Sequence, residues 1–173
     1  MCSELVFIED LTPAGLQSFL RNARQGQSHS VTALARKLGL DVTALQAKEV
    51  DLDAFTRTTL GTLDRWSHSL MATLFYVVVV DDTTTHRGAM AGLAVALRQL
   101  RLDRGMTQGD LGVRMGVPQG TISRLELSHT LGRSVAVEIN MAKAMDAELK
   151  FSVVSVDPSL DGVSTKAVNT TSG

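Results

Sequence analysis

TQGDLGVRMGVPQGTISRLE, residues 107–126, decides the fold, because two short amphipathic stretches meet in it at Gly116. Thr107 suits the position before a helix, where its hydroxyl accepts from an amide that has no partner inside the helix. Gly116 stands where that helix must stop and the chain turn sharply, a place for a residue that tolerates positive φ. The next helix is expected from about Gln119 to Leu127, with Leu111 and Ile122 facing inward between the two.

The same pattern occurs earlier, in SVTALARKLGLDVTALQAKE, residues 30–49. A shift of 77 positions lays Leu20 on Leu97, Arg24 on Arg101, Leu34 on Leu111, Gly39 on Gly116 and Glu49 on Glu126. Further along, the shift becomes 75, and each stretch ends in a β-branched run, FYVVVV (75–80) and FSVVSV (151–156). A self-match at a fixed period is the signature of a duplicated unit. Both copies begin with apolar residues at helical spacing: Leu16, Phe19, Leu20 and Ala23 in one, Leu93, Ala96, Leu97 and Leu100 in the other. More helix is expected around 53–72 and 134–147, and a strand closes each unit.

Residues 97–126 resemble the Cro/C1-type, XRE-like helix-turn-helix family. The resemblance rests on Thr107-Gln108, Leu111-Gly112, Gly116-Val117 and Gln119-x-Thr121-Ile122-Ser123-Arg124-x-Glu126. Together with the internal repeat, it implies a mainly α protein of two tandem, lambda-repressor-like helix-turn-helix units, each followed by a C-terminal β-strand. The expected organisation is a degenerate unit with its strand over 1–80, a linker over 81–87, the DNA-binding unit with its strand over 88–156, and a flexible tail over 157–173.

The resemblance also implies that the helix from Gln119 lies in the major groove of double-stranded DNA. There Gln119 can grip adenine and Arg124 guanine, each through two hydrogen bonds. Gly120 admits the backbone, while Thr121 and Ser123 reach a thymine methyl or a phosphate. Thr107 and Gln108, at the N-terminus of the preceding helix, are placed against a backbone phosphate. Arg101 and Glu126 correspond to a buried ion pair, with Arg24 and Glu49 as the counterpart in the first copy. The first copy lacks the readers: Gln108 becomes Val31, Gln119 becomes Val42 and Arg124 becomes Ala47.

The expected function is a sequence-specific transcriptional regulator, a repressor or autoregulator, with an antitoxin-like C-terminal strand. A protein-binding regulator, an antiactivator or toxin-neutralising module, is the alternative. The strands over 74–80 and 150–156 are expected to pair, within one chain as a pseudo-dimer, between two chains of a homodimer, or with a partner protein.

Other functions find little support. Of the 173 residues 44% are hydrophobic and 20% charged, and the net charge of −1 argues against a wholesale polyanion binder. Residues 98–150 still carry more basic than acidic side chains. Cys2 is the only cysteine, and His29, His68, His86 and His129 share no ligand spacing, so no metal and no cofactor are expected. No nucleophile constellation or phosphate-binding loop marks an enzyme. The start lacks a signal-peptide pattern, and the apolar run from Leu70 to Val80 is too short to span a bilayer. A cytoplasmic protein is the expectation.

Overall fold

A computed structural model describes residues 6–128 and 130–155. Cys2, His129, Val156 and the expected tail over 157–173 lie outside the described residues. The protein is mainly helical, with one small antiparallel sheet.

Helical spacing of apolar residues produces α1 (Pro13–Gly26), which buries Leu16, Phe19, Leu20 and Ala23. Thr12 caps it, its Oγ1 accepting from Gly15 N at 3.1 Å, and Pro13 occupies the first turn, where a missing amide costs nothing. After it come α2 (Val31–Leu38), α3 (Val42–Val50), the short α4 (Leu52–Thr56) and α5 (Leu60–Ser69). The helix expected over 53–72 is thus broken, because Thr59 turns extended and caps α5 through Oγ1, 3.2 Å from Thr62 N. The second half runs through a 3-10 turn (Met90–Gly92), α6 (Leu93–Asp103), α7 (Gln108–Met115), α8 (Gln119–Leu127), a 3-10 turn (Thr130–Gly132) and α9 (Val135–Lys143).

Four strands form the sheet: β1 (Val6–Leu11), β2 (Ala72–Val80), β3 (Thr83–Ala89) and β4 (Glu148–Ser155), in the order β1-β4-β2-β3. Two departures from expectation concern this sheet. Residues 81–87, expected as a linker, form the turn of a hairpin and most of its second strand. Asp81 and Asp82 adopt φ of 48° and 59°, the paired left-handed residues of a two-residue turn, and Val80 faces Thr83 across it. Aspartate tolerates that region better than most side chains, so Asp-Asp stands in for the usual Asn-Gly. The strand at Val6–Leu11 was not expected either; it is short, and a register shift between Ile8 and Leu11 interrupts its alternation. Each set of helices therefore has a strand before it as well as after it.

β2 and β4 pair along their length, from Ala72 with Ser155 to Val79 with Glu148. Leu74, Tyr76 and Val78 of β2 and Leu149, Phe151 and Val153 of β4 point into the core with the helices. On the other face, Arg87 bridges Glu9 Oε1 at 2.8 Å and Ser152 Oγ at 3.0 Å.

Turns recur at the offsets seen in the sequence. Gly39 and Gly116 end α2 and α7 with φ of 67° each, which a side chain would strain. Ser28 and Gly105 (φ 55° and 64°) come after α1 and α6, while Met71 and Asp146 (φ 56° and 54°) precede β2 and β4. The core is continuous across both halves and includes Phe55 and Trp66, whose rings meet edge-on at 6.2 Å. No helix among the described residues is long and apolar enough to cross a membrane.

Candidate nucleic-acid interface

The site is built on α7 and α8. Thr107 caps α7 in a closed box: its Oγ1 accepts from Asp110 N at 3.1 Å, and Asp110 Oδ2 accepts from Thr107 N at 2.8 Å. The two Thr107 hydrogen bonds hold the exposed Asp110 carboxyl below its ordinary value. At the other end Gly116 N bonds back to Val113 O, and Val117 N to Gly112 O at 2.9 Å. This turn is tight enough that a Cβ on Gly112 would stand 2.7 Å from Val117 O. The corresponding residue of the first half is Ala35, where the turn closes with the same hydrogen bond, Leu40 N to Ala35 O at 2.9 Å. Pro118 precedes α8 in extended conformation and makes no side-chain cap.

A buried charge network fixes α8 to α6. Arg101 Nε and Nη2 donate to the two oxygens of Glu126 at 2.6 and 2.9 Å, and its Nη1 donates to Met106 O at 2.6 Å. The side chains are only 7% and 2% exposed. Burial works to raise the Glu126 carboxyl, but hydrogen bonds from Arg101 and Gln108 and the charges of Arg101 and Arg98 outweigh it and hold it below its ordinary value. The hydrogen bond to Glu126 correspondingly raises Arg101. The first half repeats the arrangement: Arg24 Nε and Nη2 reach the Glu49 oxygens at 2.5 and 2.8 Å, and Nη1 reaches His29 O at 3.0 Å.

With Ile122 buried, α8 turns Gln119, Gly120 and Arg124 to solvent, and Ser123 lies half-buried beside them. Arg124 folds along the helix, Nε donating to Gly120 O at 3.2 Å. The other residues singled out in the sequence are placed differently. Thr121 lies on the flank towards α9, where with Val117, Leu125, Asn140 and Lys143 it lines a groove of about 560 Å³. Gln108 is half-buried and commits Nε2 to Glu126 Oε2 at 2.9 Å, so its side chain braces α8. Thr107 is occupied by its capping box. Of the residues singled out, Gln119, Gly120 and Arg124 are thus the exposed ones on α8, with Ser123 half-buried beside them.

Residues 93–145 match the family model of a helix-turn-helix domain. The match begins with α6 and ends just past α9, and such a domain suggests a DNA-binding regulator. No curated protein and no solved structure gives a significant match to the chain. Within the helix-turn-helix domain, sequence reasoning missed Arg133 and Glu138. Arg133 donates through Nη1 to Leu125 O at the end of α8 and sets Nε 2.7 Å from Glu138 Oε1, and Glu138 is fully buried. Five residues apart, across the start of a helix, the two carry no recognisable spacing.

In the first half the corresponding face is chemically different. Val31 and Val42 are half-buried against the core, while Ala47 takes the exposed place of Arg124. Asp41 caps α3, accepting from Thr43 N at 2.8 Å, and the Thr43 hydrogen bonds hold its exposed carboxyl below the ordinary value. A fixed negative charge therefore stands at the start of α3, where α8 has a proline. No cluster of three or more metal-ligating side chains occurs among the described residues.

Proposed function

We propose that this chain is a sequence-specific DNA-binding transcriptional regulator of the XRE type, a repressor or autoregulator, in which α8 reads bases in the major groove. One observation carries the reading. α8 is locked to α6 by the Arg101–Glu126 pair and to α7 by Gln108, yet keeps Gln119 and Arg124 exposed. A rigid helix presenting a bidentate amide and a guanidinium is the chemistry that adenine and guanine edges demand. The chain acts as a binding module rather than an enzyme, needs no cofactor, and works in the cytoplasm.

The tandem organisation belongs to the same reading: two copies of one unit, the first retaining the scaffold and losing the readers. The recurring left-handed turns and the repeated Arg–Glu geometry support it.

Replacing Arg124 with Ala is expected to weaken binding to the preferred duplex by about 1–3 kcal/mol, with loss of discrimination at one or two base pairs. Installing Arg at position 47 alone should change far less. Equilibrium titrations of fluorescent duplexes over a range of salt concentrations test both, because phosphate contacts make the affinity fall steeply with salt. Equal losses from changes in α3 and α8 would contradict the division of labour. A second reading, a protein-binding regulator, is favoured by exposed apolar Val50 and Leu52 beside the reader-free α3. It predicts no salt-dependent affinity for DNA.

A further inference from the structure

The backbone carries a two-fold relation inside one chain. In the β2–β4 ladder Tyr76 faces Phe151, and an offset of 75 turns the first into the second. The only bridge outside the named strands among the described residues joins Thr59 to Ser134, again its own counterpart at an offset of 75. Its flanking bonds exchange in the same way: Leu60 N donates to Arg133 O at 2.8 Å, and Val135 N donates to Thr58 O at 3.0 Å. The outer ladders agree, Val6 with Ser155 matching Thr83 with Val80, and Leu11 with Phe151 matching Gly88 with Tyr76. Residues that face their own counterparts lie on a rotation axis, as at the interface of a symmetric dimer. Here the axis runs past the N-termini of α5 and α9 and through the middle of the sheet.

A second chain cannot join through β2 or β4, because each already has a strand on both sides. Rotation also preserves position along the axis, so α3 stands at the same height as α8. The first half thus stands to the second as one subunit of a symmetric dimer stands to the other.

Resting on the DNA-reading role of α8, we propose that a single chain covers both halves of a duplex site and reads bases in only one of them. In the other half α2 and α3 hold the sugar–phosphate backbone. Arg36 and Lys37 of α2 are exposed and make no ion pair among the described residues. The counterpart of Lys37 is Arg114, which is engaged by Asp146 Oδ2 at 2.8 Å; at the position equivalent to Asp146 the first half has Met71. Thr43 and Gln46 are the exposed polar groups of α3, whereas Asp41 at its start repels a close approach to the groove floor. The preferred site is therefore not a palindrome: one informative half-site adjoins a base-blind half about one helical turn, ~34 Å, away.

The test uses the full chain on a duplex carrying its selected site. Native mass spectrometry is expected to give one chain per duplex, and hydroxyl-radical footprinting should show protection in both halves. The Arg36→Ala/Lys37→Ala variant should lose protection in the base-blind half and keep the bases selected in the other. Two chains on an inverted repeat would overturn the proposal, as would one chain protecting a single half-site. An Asp41→Asn/Val42→Gln/Ala47→Arg variant, which keeps a capping side chain and removes the repelling charge, should acquire an inverted second half-site; an unchanged one-sided site would place α3 away from the duplex and also overturn it. Failure of the underlying reading looks different: Arg124→Ala would then leave the selected bases unchanged, whatever the stoichiometry and footprint. No binding to any duplex would overturn both.

Discussion

Arg101→Ala should cost about 3–5 kcal/mol of folding stability, the penalty for leaving a buried carboxylate without its partner. Glu126 is 2% exposed at its side chain, receives two hydrogen bonds from Arg101 and one from Gln108, and has only the distant Arg98 Nε, at 3.9 Å, to replace them. Glu126→Ala should be comparably damaging, since it strands the Arg101 guanidinium and the Gln108 amide together. Replacing both charged partners by apolar residues should recover part of the loss, because the desolvation of two charges disappears with them. Denaturant midpoints of the two single variants and the double variant measure this. A loss below about 1 kcal/mol, the range of a solvated surface pair, would contradict the buried pairing. Arg24→Ala, in the equivalent first-half pair, should match Arg101→Ala in size.

The second large effect is a dependence on pH. Glu138 is fully buried in α9, and burial pushes its carboxyl from 4.5 up to about 7, with the attraction of Arg133 acting the other way and losing. Neither Glu138 oxygen has an aligned hydrogen bond, although Arg133 Nε lies 2.7 Å from Oε1. Burial lowers Arg133 as well. Between about pH 4.5 and about 7 the unfolded chain has released this proton and the folded chain has kept it. Raising the pH through that window therefore favours unfolding: the contribution is whole below about 4.5 and gone above about 7. At ~1.4 kcal/mol per unit the span corresponds to about 3 kcal/mol. Glu138→Gln, neutral throughout, should lose this slope. Asp41, Asp110, Glu126 and Asp146 are all lowered, so their contributions vanish only in more acid solution. Denaturant midpoints from pH 5 to 8 compare the two proteins, and equal slopes would contradict the assignment.

The helix-turn-helix was legible because its determinants are local. Thr107 can cap only the helix that starts at Gln108, Gly116 must adopt positive φ where α7 ends, and Leu111 and Ile122 are the apolar residues that α7 and α8 bury. The features that escaped the sequence are decided by partners distant along the chain. β3 consists largely of threonines and other polar residues, and is a strand because the Asp81-Asp82 turn folds it onto β2. β1 owes its conformation to β4, more than a hundred residues later. Within the site, the polarity of Gln108 was visible but its commitment to Glu126 was not, nor was the groove that Thr121 lines together with α9. The chemical difference between α3 and α8 was plain in the sequence, since Val42 and Ala47 carry no donors where α8 has Gln119 and Arg124.

Selection of bound sites from a random duplex pool at ~150 mM salt, on the wild type and Arg124→Ala in parallel, tests base reading by α8 most directly. The wild type is expected to enrich one informative half-site beside a tolerant flank, and positions within that half-site should blur in the variant. Weak binding without enrichment, indistinguishable between the two proteins, would contradict base reading by α8.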